Sequence, residues 1–164
     1  MSNVSVYPFL TGFLSQWNRS DFTVGGIAFG CAEQFMMYRK AVLFDDHEMA
    51  ARILRAERPS DQKRLGQNVR GFVPSVWAER RVPIVLEGNR AKFSQNAGLR
   101  KKLLATGDSI LVEANPKDFI WGAGLAQADP DILDPSKWQG LNLLGRILMQ
   151  VRDELRQAPA DSAS

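Results

Sequence analysis

The sequence predicts a predominantly helical α+β single domain with a small β-sheet, and three observations carry that prediction. The chain has 164 residues, 45% of them hydrophobic, enough to bury one core and short for two. β-prone runs are short and confined to SVYPFL, FTVGGIAF and SILVEA. Most of the remaining chain falls into helix-length runs bounded by glycine, proline or capping residues. The domain is expected over residues 1–157, and the tail 158–164, APADSAS, is expected to be disordered.

From Val4 to Phe29 the β-prone pieces are separated by LSQWNRSD, and Gly25-Gly26 between two such runs predicts a tight hairpin turn. No Gly or Pro interrupts Cys31 to Phe44, which predicts a helix ending near Asp45. Asp45 with Glu48 three residues on resembles a capping box, opening a second helix to about Glu57, before Pro59. Ser60 is positioned to cap a short third helix that fades at Gly66. Pro74, Pro83 and Asn96 then divide the middle of the chain into helical segments at 75–81, 84–94 and 99–106, with Gly107 as C-cap. SILVEA, rich in apolar and β-branched residues, predicts a buried strand running into a loop from Asn115 to about Gly124. Residues 129–138 are turn-rich. Asn142 to Arg156 is an amphipathic helix with Leu143, Leu144, Ile147, Leu148, Val151 and Leu155 at helical spacing.

Lys and Arg total 21 against 18 Asp and Glu, a net charge of +3 scattered along the chain, which permits an anionic ligand without demanding nucleic acid. A single cysteine, Cys31, excludes an intrachain disulfide and fits a reducing compartment. A single histidine, His47, argues against an ordinary zinc site. No apolar run has membrane-spanning length, and MSNVSVYPFL lacks the pattern of a signal peptide, so a cytoplasmic protein is expected.

The stretch EQFMMYRK, residues 33–40, sets an acid and an amine seven positions apart among apolar bulk. Residues seven apart on a helix lie within roughly 20° around the axis, so Glu33, Met37, Lys40 and Phe44 form one stripe. Apolar residues on the other side, Cys31, Phe35, Tyr38 and Val42, predict a helix buried nearly all round. Buried charges need compensation, so Glu33 and Lys40 either make structural ion pairs, Lys40 with an acid of the second helix, or face one ligand.

A second constellation is NPKDFIWGAG, residues 115–124, at the end of the expected strand, where α/β folds often hold ligands. Asp118 offers a carboxylate, Trp121 a flat stacking face and Gly122 close backbone approach. The same residues equally suit a turn with Trp121 plugging the core. Trp17 and Trp77, taken alone, favour core positions. His47, Arg80-Arg81 and Arg100 to Lys102 suit solvated faces.

Together the runs FLSQW (13–17), CAEQFMMYRKA (31–41), LGQNVRGF (65–72), Trp77, GNRAKFSQN (88–96), LLATGDSILVEANPKDFIWGAG (103–124) and WQGLNLLGRILMQVR (138–152) resemble the NADAR family, also called YbiA-like. The resemblance covers nearly the whole chain in order. It implies a mostly helical α+β domain acting as an N-glycosidase on ribose bound to an exocyclic amine. The implied substrates are early phosphorylated intermediates of riboflavin synthesis or, alternatively, ADP-ribose on the guanine amino group in nucleic acid. By the same resemblance Glu33, Lys40 and Asp118 are the expected catalytic groups. Trp77, Trp121 and Gly122 are the expected substrate-binding residues. Asn18 to Asp21 depart from the family's tyrosine and proline-rich continuation, and Asn115 stands where a serine is common, which bears on substrate choice. Neither cofactor nor metal is expected. A non-catalytic module binding ADP-ribose or a nucleotide is the remaining alternative, against which the presence of Glu33, Lys40 and Asp118 together speaks.

Two mechanisms suit a glycosylamine. In one, Glu33 or Asp118 shuttles the proton for ring opening and departure of the base while an unprotonated Lys40 attacks C1 to form an imine that water hydrolyses. In the other, one carboxylate acts as acid, the other activates water, and Lys40 holds phosphate.

Overall fold

The computed structural model describes residues 4–158, so most of the tail expected to be disordered, 159–164, lies outside the described residues. In chain order the elements are β1 (Val6–Phe9), β2 (Phe22–Val24), β3 (Ile27–Phe29), α1 (Ala32–Leu43), α2 (His47–Arg55), α3 (Pro59–Gly66), α4 (Pro74–Gln95), α5 (Ala97–Ala105), β4 (Ile110–Glu113) and α6 (Leu143–Gln157). Two 3₁₀ turns, Pro130–Leu133 and Pro135–Lys137, occupy the turn-rich stretch before α6. The predominantly helical α+β class is therefore the one the sequence predicts. The chain divides into two compact units, Gln16–Asn96 and a second made of residues 1–15 with 97–164.

In the unit 16–96, β2 and β3 form the expected hairpin, with Val24 opposite Ile27. Gly25 and Gly26 both take positive φ, 58° and 80°, which two-residue hairpin turns of this hand require. Their Phe22 and Phe29 side chains pack with Phe35 of α1 and with Ile84 and Ala91 of α4 into one apolar cluster. The three phenylalanine rings lie 5.1 to 6.0 Å apart, in stacked, tilted and edge-on contacts of the favoured kind. Helix α1 crosses α4 where a Cβ on Gly88 would sit 2.5 Å from the Phe35 ring, so only glycine permits that approach.

Three local expectations are corrected. Asp46, not Asp45, caps α2: its carboxylate accepts the Met49 N–H at 3.1 Å and the Arg70 N–H at 2.8 Å, and those hydrogen bonds hold its pKa below the usual carboxylate value. Asp45 instead takes a left-handed φ of 58°, and Glu48 pairs with Arg70 at 2.9 Å rather than closing a capping box. Helix α3 starts at Pro59, whose lost N–H costs nothing in a first turn, so Ser60 lies inside the helix and Arg58 precedes it without a side-chain cap. Helix α4 runs unbroken through Pro83. An internal proline costs about 3 kcal/mol, but burying Ile84, Val85 and Phe93 returns about 1.5–3 kcal/mol each.

In the other unit, β1 pairs in parallel with β4, from Val6 opposite Ile110 to Phe9 opposite Glu113. SILVEA is the buried strand expected, with Leu111 and Val112 fully buried. Val112, Ala114, Ala123, Leu125 and Ile132 form the core cluster here, closed by Val6 and Trp138. Asn142 enters α6 at φ 51°, held there because its side chain donates to the Leu111 carbonyl and accepts the Glu113 N–H.

Candidate functional site

Helix α1 carries the first constellation. Its first turn is buried on every side: Ala32, Glu33, Gln34, Phe35, Met36 and Met37 are all buried, as the apolar bulk on both faces predicts. Gln34 fixes this turn to its neighbours. Its side-chain oxygen accepts the Gly30 N–H at 2.8 Å, and its amide nitrogen donates to the carbonyls of Ile53, Leu54 and Ala56 at 3.1 to 3.3 Å. Glu33 is 5% exposed, and its N–H donates to the Gln16 carbonyl at 3.0 Å. The Gln16 side chain in turn accepts from Asn89 of α4 at 3.0 Å, so FLSQW and GNRAKFSQN are joined behind the acid.

Lys40 lies two turns further on, half-buried. Among the described residues it makes no ion pair with α2, so that expectation is corrected; its ammonium instead rests over aromatic faces. Nζ is 4.6 Å from the Phe72 ring centroid and 5.7 Å from that of Trp77. Burial pushes the Lys40 pKa below its ordinary value, and the charge of Glu33 opposes that shift without cancelling it. Trp77 also packs against the phenylalanine cluster, combining a core contact with a face toward Lys40. Arg39, next to Lys40, is occupied elsewhere in a two-pronged pair with Glu87, both contacts at 2.8 Å.

Two residues of this region escaped the sequence reading. Phe72, 41% exposed, supplies the ring nearest to Lys40 and is braced edge-on by Phe44 at 5.4 Å. Lys92 of α4 is fully buried, and burial lowers its pKa to about 7, with Cys31 pulling weakly upward. Spacing held the signal for Lys92. Ile84, Gly88 and Lys92 recur every fourth residue on the inward stripe of α4, so this lysine cannot be a solvated one. Cys31 itself donates to Gln62 at 3.2 Å, and burial pushes its thiol above the ordinary value.

The other unit holds Asp118, Trp121 and Gly122. One oxygen of the Asp118 carboxylate accepts two backbone N–H groups, from Ile120 at 3.0 Å and from Trp121 at 2.8 Å, which closes the turn. A Cβ on Gly122 would meet the carbonyls of Glu113 at 2.9 Å and Asp118 at 3.0 Å, so the close backbone approach is made to the protein's own chain. The carbonyls of Ile120, Trp121 and Gly122 accept the N–H groups of Leu143, Leu144 and Asn142, which satisfies donors that the start of α6 would otherwise leave unpaired. Trp121 is half-buried.

Trp17 is 46% exposed rather than in the core, because the adjacent Gln16 takes the inward position. His47 is exposed, as expected. Among the described residues no group of three or more His, Cys, Asp or Glu is arranged to hold a metal ion, and no helix is long and apolar enough to cross a membrane.

Comparison with known proteins shows the family. The model of the NADAR domain family matches residues 8–156. The chain is 46% identical over 126 residues to N-glycosidase R617 of Acanthamoeba polyphaga mimivirus, covering 77% of this chain and 74% of that one. It is 35% identical over 146 residues to riboflavin biosynthesis protein VVA0006 of Vibrio vulnificus, covering 89% of this chain but 36% of that longer protein. Among solved structures, the NMR structure of the E. coli protein YbiA superposes with a TM-score of 0.78 at 26% identity, covering 95% of this chain and 88% of that one.

Proposed function

Because the chain belongs to the NADAR domain family and, like the N-glycosidases among its relatives, is an enzyme hydrolysing N-glycosyl bonds, we propose that it acts on phosphorylated ribosylamino pyrimidines. These are early intermediates of riboflavin synthesis, and cleavage between ribose C1 and the exocyclic amine releases ribose 5-phosphate. The relationship to a riboflavin biosynthesis protein supports this substrate class.

The observation that carries the reading is the α1 stripe: a buried acid, Glu33, on the same face as an amine, Lys40, in which burial outweighs the carboxylate's pull on the proton. Lowering a lysine in this direction enlarges its unprotonated fraction, the form that attacks carbon. Once the sugar ring has opened, Lys40 adds to C1 and Glu33 passes a proton to the glycosidic nitrogen. The C1–N bond then breaks, the heterocycle leaves as a neutral amine, and water hydrolyses the lysine imine to return the free sugar and the amine. Asp118 is proposed as the second acid, with Trp77 and Trp121 as stacking faces for the heterocycle and Gly122 as a point of close backbone approach.

The test is mass-spectrometric detection of ribose 5-phosphate released from 5-amino-6-ribosylaminouracil phosphate, with Glu33→Ala as control. Release that is lost in the variant is expected. Absence of release, with ADP-ribose instead freed from ADP-ribosylated guanine in nucleic acid, would overturn the substrate assignment.

A further inference from the structure

The Lys40 ammonium sits against two rings, and only one of them is tied into the core. Trp77 packs on the Phe22, Phe29 and Phe35 cluster, whereas Phe72 is 41% exposed and is followed in the chain by two further exposed apolar side chains, Val73 at 44% and Val76 at 37%. Exposed apolar groups that are scattered singly need no explanation, but an exposed ring directly beneath a half-buried amine, with a second ring beside it, marks a ligand face. Phe72 is also held in place. Its edge-on contact with Phe44 at 5.4 Å fixes the ring plane, and Gly71 before it takes φ 75°, a conformation that turns the chain where a side chain would strain. A braced ring of this kind is prepared to receive a second flat group.

We propose that Phe72 is a further substrate-binding residue, whose ring joins that of Trp77 as the platform on which the flat heterocycle of the substrate stacks. This deepens the function proposed above and rests on it. In the free enzyme the Lys40 ammonium occupies the platform, 4.6 Å from one ring and 5.7 Å from the other. An arriving electron-rich heterocycle takes that place and leaves the amine beside C1 of the attached ribose. The ligand class is a planar aminopyrimidine or a purine. A saturated ring lacks the face that stacking needs, so it is excluded.

The experiment compares wild-type enzyme with Phe72→Leu, which keeps apolar bulk but removes the π face, and with Phe72→Tyr, which keeps the face. Equilibrium binding of free 5,6-diaminouracil is measured alongside the kinetics of ribose 5-phosphate release. Stacking on one aromatic face predicts that Phe72→Leu weakens diaminouracil binding and raises KM by roughly 5- to 100-fold, with kcat little changed and wild-type values restored in Phe72→Tyr. Thermal melting confirms that each variant folds; should Phe72→Leu fail to fold, Phe72→Met takes its place. Diaminouracil binding and KM unaltered in a folded Phe72→Leu overturn the proposal, as does a loss confined to kcat. Failure of the wild-type enzyme to release ribose 5-phosphate would remove the proposed substrate, while diaminouracil and guanine binding in the two variants would still judge the platform.

Discussion

Helix α1 and the 115–124 loop each carry an acid and aromatic residues, yet they spend their polar groups differently. On α1 the first turn is buried, Gln34 satisfies the neighbouring backbone groups, Glu33 is buried, and Lys40 is displaced from its ordinary pKa by burial. In the loop the Asp118 carboxylate and the carbonyls of residues 120–122 serve backbone donors, including those at the start of α6. The difference teaches that backbone groups can be satisfied by a neutral side chain or by a charged one. On α1 a glutamine does so; in the loop a carboxylate does.

The largest effect that sharpens this comparison belongs to Lys40. If it forms the imine, Lys40→Met lowers kcat by on the order of 10³-fold or more, and borohydride added during turnover fixes a sugar adduct that peptide mapping assigns to residue 40. Turnover that continues with no trapped adduct would favour the route in which Lys40 holds phosphate.

Asp118 is next, because two substitutions separate its roles. Asp118→Asn keeps an oxygen for the Ile120 and Trp121 N–H groups but removes the charge, so a catalytic acid predicts a loss of roughly 10²-fold in kcat at unchanged melting temperature. Asp118→Ala adds the loss of the turn, about 1 kcal/mol of stability. Full activity in Asp118→Asn would leave the residue with its turn alone.

Gly122→Ala breaks the loop from the packing side. The new Cβ would lie 2.9 Å and 3.0 Å from two carbonyl oxygens, a clash that backbone atoms relieve poorly. Chemical denaturation is expected to show a destabilisation of about 1–3 kcal/mol.

The remaining effect is a slope in pH. Lys92 has a folded pKa of about 7 against an ordinary 10.5. Between those values the unfolded chain holds a proton that the folded chain lacks, so stability rises with pH through this window. Lys40 acts in the same direction, and the raised Cys31 thiol opposes it once the unfolded thiol begins to ionise near its ordinary 9.0. A melting series from about pH 7 to about pH 8.5 therefore isolates the lysine effect, and Lys92→Met is expected to flatten it.

Much of this architecture was legible in the sequence because its signals were local. The hairpin needed only Gly25-Gly26, and α1 needed only an unbroken run from Cys31 to Phe44. What stayed hidden depended on tertiary context. Pro83 breaks a helix by local rules, and only the burial of Ile84, Val85 and Phe93 shows why α4 continues. Asp45 satisfied the local rule for a cap, and only the hydrogen bond from the distant Arg70 N–H shows that Asp46 takes the role. Glu33 and Lys40 stood out as charges in an apolar stripe, whereas Lys92 sits in the polar run GNRAKFSQN, where composition suggests solvent and only fourfold spacing reveals the buried face. Phe72 carried no charge to question and became visible through the amine above it.

The central claim is that the buried acid on α1 serves the chemistry, and the most direct measurement compares steady-state kinetics of ribose 5-phosphate release by wild-type enzyme and Glu33→Gln, an isosteric change that keeps hydrogen bonding. The account predicts that kcat falls by about 10²- to 10⁴-fold, with KM within a few-fold and a cooperative melting transition retained. A folded Glu33→Gln enzyme with kcat close to wild type would contradict it, reducing Glu33 to a buried structural charge.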